Sequence, residues 1–240
     1  MGEWGWQSGG VRVFAAVWPP DEVLDHLDLA LGALRRTLPD DGTGPVRWSA
    51  RETWHLTCAF YGEVPDGSLA DLAAYLAAVA ADAAPYDLRL RGAGVFSHRT
   101  LWVGVGGDTA AQQALARAAV AAGEDVGVRP DDRPRERAHL TIGRARTGLS
   151  PRRVHGRPED RGFRERRGGD RRGDVAGTAP FDSQSVVAAL AVYEGPRWTV
   201  DTLHLVASRP GEGRGGGPLY TTVETFALGT PPGGVAPWAP

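Results

Sequence analysis

One tripeptide occurs twice in this chain. His55-Leu56-Thr57 and His139-Leu140-Thr141 lie 84 residues apart, and each falls within a short strand-like run, 54–60 and 138–142. Side chains alternate along a strand with period two. His55 and Thr57 therefore share one face, with Leu56, Cys58 and Phe60 on the other. His139 and Thr141 share a face in the same way, with Leu140 and Ile142 behind them. Each run reads as a strand with an apolar back and a His/Thr front. A supersecondary unit repeated once predicts two related lobes. A pseudo-twofold between those lobes sets the two fronts opposite each other across a central cleft.

The rest of the chain fits around these two strands. Residues 11–18 read as a buried strand ending at Pro19-Pro20. Asp21 is the expected N-cap of a helix that stops before Pro39. Further strands are expected at 46–48, 53–61, 87–96, 100–105, 138–144, 198–207 and 220–228. Helices are expected at 68–83, at 108–122 with Gly123 as cap, and at 183–190. The irregular alternation predicts an α+β fold with antiparallel pairing, two pseudo-twofold-related sheets carrying outer helices, rather than a doubly wound parallel sheet. Residues 11–229 are expected to form one bilobal domain, between a flexible N-terminus (1–10) and a flexible tail (230–240). Residues 147–180 interrupt it. Residues 151–174 alone hold nine arginines, five acids and five glycines. Such a stretch buries too little apolar surface to offset the entropy of ordering it, and a disordered insertion is expected.

Composition narrows the chemistry. All 27 basic residues are arginine, there is one cysteine, and the only methionine is the first residue. Schiff-base chemistry and a P-loop lysine are excluded, and so are an intramolecular disulfide and a Cys-based zinc site. Arginine stays protonated, so it binds anions but does not shuttle protons. The net charge of −2 averages a balance of −5 over residues 1–120 and +3 over 121–240. No signal peptide and no membrane span are legible, which predicts a cytoplasmic protein with no membrane partner.

Proton transfer is thereby left to the six histidines, the carboxylates or tyrosine. Imidazole titrates near neutrality, so one ring can accept a proton while its counterpart donates one. Two opposed histidines suit hydrolysis of a phosphodiester. Thr57 and Thr141 are placed to donate hydrogen bonds to nonbridging oxygens, where charge accumulates. Arg144, three residues beyond Thr141, is a candidate to set a guanidinium beside the phosphate. No metal or other cofactor is required.

At these residues the chain resembles the 2H phosphoesterases, and within them the bacterial and archaeal RNA 2′,3′-cyclic phosphodiesterases, also called 2′-5′ RNA ligase-like proteins. The similarity runs through Val11–Pro20, through Val46-Arg47-Trp48 with His55–Thr57 and Phe60–Val64, and through Phe96–Val105. It continues in His139–Arg144, Leu205–Arg209 and Gly217–Leu228. The resemblance implies a bilobal α+β fold and metal-free opening of a 2′,3′-cyclic phosphate to a 2′-phosphate. His55 and His139 would be the catalytic pair, and Thr57, Thr141 and Arg144 the phosphate ligands. The implied partner is RNA with a cyclic-phosphate end, or a cyclic nucleotide, acted on by a monomer. By the family pattern His139 would be the base and His55 the acid. Other 2H activities, on ADP-ribose cyclic phosphate or 2′-5′ oligonucleotides, and non-catalytic RNA binding through the arginine segment are the alternatives.

Other residues read more plainly. His204 lies in a near-copy of the motif with Val206 in the threonine position, and reads as structural. His26 and His155 read as solvated, and His98 as a turn residue. Cys58 reads as a buried, inert thiol. Trp48, Trp54 and Phe96 are each candidates for base stacking, with core packing as the competing reading.

Overall fold

The computed structural model describes residues 10–38, 44–128, 137–146 and 183–229. The expected insertion 147–180, the tail 230–240 and all but the last residue of 1–10 lie outside these.

Among the described residues nine strands and four helices follow one another. The strands are β1 (Val11–Val17), β2 (Val46–Trp48), β3 (Leu56–Val64), β4 (Tyr86–Phe96), β5 (Thr100–Gly107), β6 (His139–Ala145), β7 (Glu194–Val200), β8 (Thr202–Arg209) and β9 (Leu219–Ala227). The helices are α1 (Asp21–Arg35), α2 (Asp66–Asp82), α3 (Thr109–Asp125) and α4 (Ser183–Ala189). The strands run in the order β7-β4-β5-β6-β3-β1-β8-β9, with β2 on the free part of β6. Every pairing is antiparallel. The two expected sheets are thus β3-β1-β8-β9 and β6-β5-β4-β7. They join through one residue pair, Leu56 opposite Leu140, the central residues of the two tripeptides.

The halves are interlocked behind that seam. The chain folds β1-α1-β3 in one half and β5-α3-β6 in the other, yet α1 packs against β7 and α3 against β3. Each helix therefore lies on the opposite half's sheet. Leu24, Leu27 and Leu31 of α1 and Leu115, Ala119 and Ala122 of α3 feed one continuous core that also takes Leu56, Leu140 and Ile142. Burial of this apolar back face fixes which side of each strand looks outward.

Several boundaries differ from the sequence expectation. Pro20, not Asp21, occupies the N-cap of α1 and makes no side-chain cap bond. The Asp21 carboxylate instead receives Arg51 Nη1 at 3.0 Å. Helix α3 passes through Gly123 to Asp125, capped at its start by Asp108, which accepts from the Ala111 N–H at 2.9 Å. The chain turns at Gly127, where φ is +74°, a left-handed conformation that favours glycine. The single strand expected at 198–207 is two strands. They break at Asp201, and the chain crosses from β7 beside β4 to β8 beside β1. The residue pattern stays β-like across the break, so local sequence does not reveal it.

Candidate active site

Each histidine stands at the start of its strand. His139 is the first residue of β6, and His55 directly precedes β3, after a single 3-10 turn over Arg51–Thr53. The strand expected at 53–61 therefore begins later, at Leu56. This placement leaves a carbonyl two residues back free to hold the ring. His55 Nδ1 lies 2.7 Å from the Thr53 carbonyl, and His139 Nδ1 lies 3.0 Å from the Arg137 carbonyl. A carbonyl only accepts, so both bonds put a proton on Nδ1 and leave Nε2 as the unprotonated nitrogen of the neutral ring. His55 Nε2 is 3.0 Å from Thr57 Oγ1, whose hydroxyl donates to it.

The Leu56–Leu140 pair sets how the motifs face each other. Because the strands run antiparallel, His55 lies on the Thr141 side of the seam and Thr57 on the His139 side. The two motifs are thus reciprocal. In a regular ladder directly opposite positions are about 4.5–5.5 Å apart, and diagonal ones such as His55 and His139 about 7–8 Å.

A β-bulge follows each threonine. On β3, Ala16 faces Thr57 but Ala15 faces Ala59, so Cys58 is extra. On β6, Trp102 faces Thr141 but Leu101 faces Gly143, so Ile142 is extra. An extra residue reverses the alternation beyond it. Phe60, expected on the apolar back, instead lines the cleft, and Tyr61 goes into the core and donates to the Ala119 carbonyl at 2.7 Å. The equivalent reversal brings Arg144 onto the face of Thr141, where strict alternation would have pointed it away. Gly143 makes room for this arrangement. A Cβ there would lie 3.0 Å from the Arg47 carbonyl of β2.

The cleft is about 1070 Å³ and is lined by His55, Thr57, Thr141 and Arg144 together with Phe14, Phe60 and Tyr220. His139 is outside that lining. Its ring packs edge-on to Phe96 at 4.9 Å and lies 6.0 Å from Trp102. His55 is more enclosed, with Phe14 at 4.8 Å, Trp18 at 4.9 Å and Tyr220 at 5.4 Å.

Tyr220, at the start of β9, is the residue that sequence reasoning missed. Burial raises its phenol pKa, while the nearby Arg144 pulls it down. It therefore joins the aromatic half to the arginine of the other half. Its own segment, a threonine-rich strand after a glycine loop, carries no signal of this.

The remaining candidates separate. Trp54 is fully buried in the core, Trp48 lines the cleft, and Phe96 is 42% exposed at a hairpin end. His204 Nδ1 contacts Thr225 Oγ1 at 3.0 Å outside the cleft lining, and burial lowers its pKa against an opposing pull from Asp201. His26 Nδ1 meets Tyr193 Oη at 3.1 Å rather than solvent alone, while His155 lies outside the described residues. His98 is in the turn, with φ of +56°. Cys58 is buried, with Gln112 Nε2 at 3.5 Å from its sulfur. Among the described residues no three His, Cys, Asp or Glu side chains stand together as metal ligands. No helix among them is long and apolar enough to cross a membrane.

Comparison with known proteins places this arrangement. Residues 17–102 match the family model described as LigT like phosphoesterase. The RNA 2′,3′-cyclic phosphodiesterase of Geobacillus stearothermophilus is 41% identical over 108 residues, which is 43% of this chain and 34% of that protein. The match therefore spans about a third of that curated relative's length. The fold is similar to that of TT0787 from Thermus thermophilus, at a TM-score of 0.59 and 23% identity over 91% of this chain and 98% of that one. It is likewise similar to E. coli LigT in its apo form, at a TM-score of 0.60 and 18% identity over 92% and 99% of the two chains. The sequence match spans the first motif, the fold is shared over nearly the whole chain, and over residues 17–102 the chain is similar to the LigT-like phosphoesterases.

Proposed function

We propose that this protein hydrolyses the 2′,3′-cyclic phosphate of RNA ends or nucleotides to a 2′-phosphate, with His55 and His139 as its acid–base pair and no metal. The observation that carries this reading is the Leu56–Leu140 pairing, which sets the two His-Leu-Thr motifs in reciprocal register on one face. The curated relative's activity supports the choice of substrate.

The chemistry follows from the atoms. A cyclic phosphate between the motifs meets an Nε2 from each side, because both Nδ1 atoms are held by carbonyls. The neutral imidazole of His139 takes a proton from water as the water oxygen bonds to phosphorus. The P–O3′ bond breaks, and protonated His55 gives its proton to O3′. The product keeps the phosphate on O2′. The hydroxyls of Thr57 and Thr141 and the guanidinium of Arg144 stabilise the charge that builds on the nonbridging oxygens. The cleft that takes the phosphate is lined by both threonines and Arg144.

The test is turnover of 2′,3′-cyclic AMP and of cyclic-phosphate-ended RNA in EDTA, with the product phosphate located by NMR. A 2′-phosphate product in chelator is expected. Absence of turnover on both substrates, or its loss in EDTA, overturns the proposal.

A further inference from the structure

The cleft holds more positive charge than one cyclic phosphodiester needs. Six arginines line it (Arg35, Arg47, Arg51, Arg144, Arg146 and Arg214) against two carboxylates, Asp28 and Glu52. Two of the six are already neutralised. Arg35 pairs with Asp28 at 2.6 Å, and Arg51 pairs with Asp21 and Asp25 at 3.0 and 2.6 Å. The other four make no ion pair among the described residues.

Their placement carries a cost. Arg47 on β2 is directly opposite Arg144 on β6, and both line the cleft. Like charges directly opposed across strands are destabilising. Arg146 extends the row, its N–H held by the Pro45 carbonyl at 2.9 Å. Arg214 approaches from the glycine-rich turn Arg214–Gly216, and Arg47 Nη2 is tied to that turn by a 2.9 Å bond to the Gly215 carbonyl. One bond uses one of the five guanidinium donors, so Arg47 keeps donors for an anion. Arg144, on the face of Thr141, serves the reacting phosphate. That leaves three cations beyond it.

We propose that Arg47, Arg146 and Arg214 form a second anion subsite, which takes a phosphate of the substrate other than the one that reacts. The inference rests on the cyclic-phosphodiesterase reading and deepens it. The preferred substrate then carries a further phosphate at a fixed distance from the cyclic one. That phosphate is either the neighbouring phosphodiester of an RNA chain or the pyrophosphate of an ADP-ribose cyclic phosphate. Arginine forks suit such phosphates, because two parallel N–H donors meet two oxygens.

The experiment compares kcat/KM on three substrates with the same reacting group. These are 2′,3′-cyclic AMP, a diadenylate ending in a 2′,3′-cyclic phosphate, and ADP-ribose cyclic phosphate. The native protein, Arg47→Gln, Arg146→Gln and Arg214→Gln are each measured. The native protein is expected to favour at least one of the two larger substrates over cyclic AMP. Each variant should reduce that preference by about tenfold, the effect of losing one charge-assisted hydrogen bond, mainly through KM. The salt dependence for the favoured substrate should become shallower in parallel. Arg214→Gln, on an exposed turn, keeps the test readable should Arg47→Gln disturb the contact with Gly215. Which larger substrate is favoured identifies the source of the second phosphate. A preference unchanged in all three variants, or no preference in the native protein, overturns the subsite. Absence of turnover on all three substrates instead overturns the cyclic-phosphodiesterase reading.

Discussion

Strands β3 and β6 begin with the same tripeptide, carry the same bulge after the threonine, and meet at their leucines, yet they make different walls. The residue that the bulge throws into the cleft is Phe60 on one side and Arg144 on the other. Its partner on the neighbouring strand is Phe14 in the first half and Thr100 in the second. The first half therefore builds an aromatic cluster of Phe14, Ala16 and Val206 with Trp18, Phe60 and Tyr220, and His55 lies against it. The second half offers Arg144, and Arg47 beside it. Backbone geometry was duplicated while side-chain chemistry diverged. One half encloses a histidine in a low-dielectric wall, and the other sets cations on the same cleft.

The sharpest way to break this comparison is to remove each histidine in turn. His55→Ala and His139→Ala are each expected to lower kcat on 2′,3′-cyclic AMP by roughly 10²–10⁴-fold. The double variant should be little worse than the weaker single, because the pair works as a unit. Steady-state rates in EDTA check both, and a surviving activity in either single variant would remove that residue from the pair.

Exchanging the matched wall residues comes next. Arg144→Leu should cost about 10²-fold in kcat, comparable to losing one oxyanion donor, with thermal stability nearly unchanged. Phe60→Leu should do the reverse, leaving kcat within a few-fold and lowering stability by about 1 kcal/mol. Rate and urea midpoint measured on the same two preparations decide it, and equal rate losses would show that the halves do not divide the work as described.

Phe14→Ala tests the aromatic wall itself. Phe14 is 1% exposed and packs on Phe60, Tyr220 and His55. Its removal should cost about 3–5 kcal/mol by urea denaturation. A cost below about 1 kcal/mol would mean that the wall is not a packed unit.

The smallest effect concerns His204, outside the cleft. Burial lowers its pKa from the ordinary value of 6.5, with Asp201 opposing. The unfolded chain then binds the proton more readily than the folded one. His204 is neutral and harmless above about pH 6.5, and stability falls as the pH drops below that value. The native protein should lose more stability than His204→Gln between roughly pH 7.5 and 5.5. Denaturant midpoints at the two pH values measure it, and equal losses would assign the acid sensitivity elsewhere.

Much of the candidate site is legible in the sequence. The two His/Thr fronts and the leucines behind them follow from alternation, and Leu56 and Leu140 are fully buried as alternation requires. Alternation failed three residues further on. It put Phe60 in the core, and Arg144 was singled out by its spacing from Thr141 without a structural reason for it to face the same way. Tyr220 was missed because its role depends on β9 lying beside β8, and β8 beside β1, which no local pattern encodes.

The sequence by itself determined the repeated strands, their apolar backs and the absence of any lysine from the chemistry, because strand period and residue ionisation are local properties. The tertiary structure decided which later residues enter the cleft. A bulge arises from how a strand is paired, with β1 against β3 and β5 against β6. One extra residue on the paired strand reverses the alternation that follows it, and on β3 a second, Tyr61, restores it so that Val64 is again in the core.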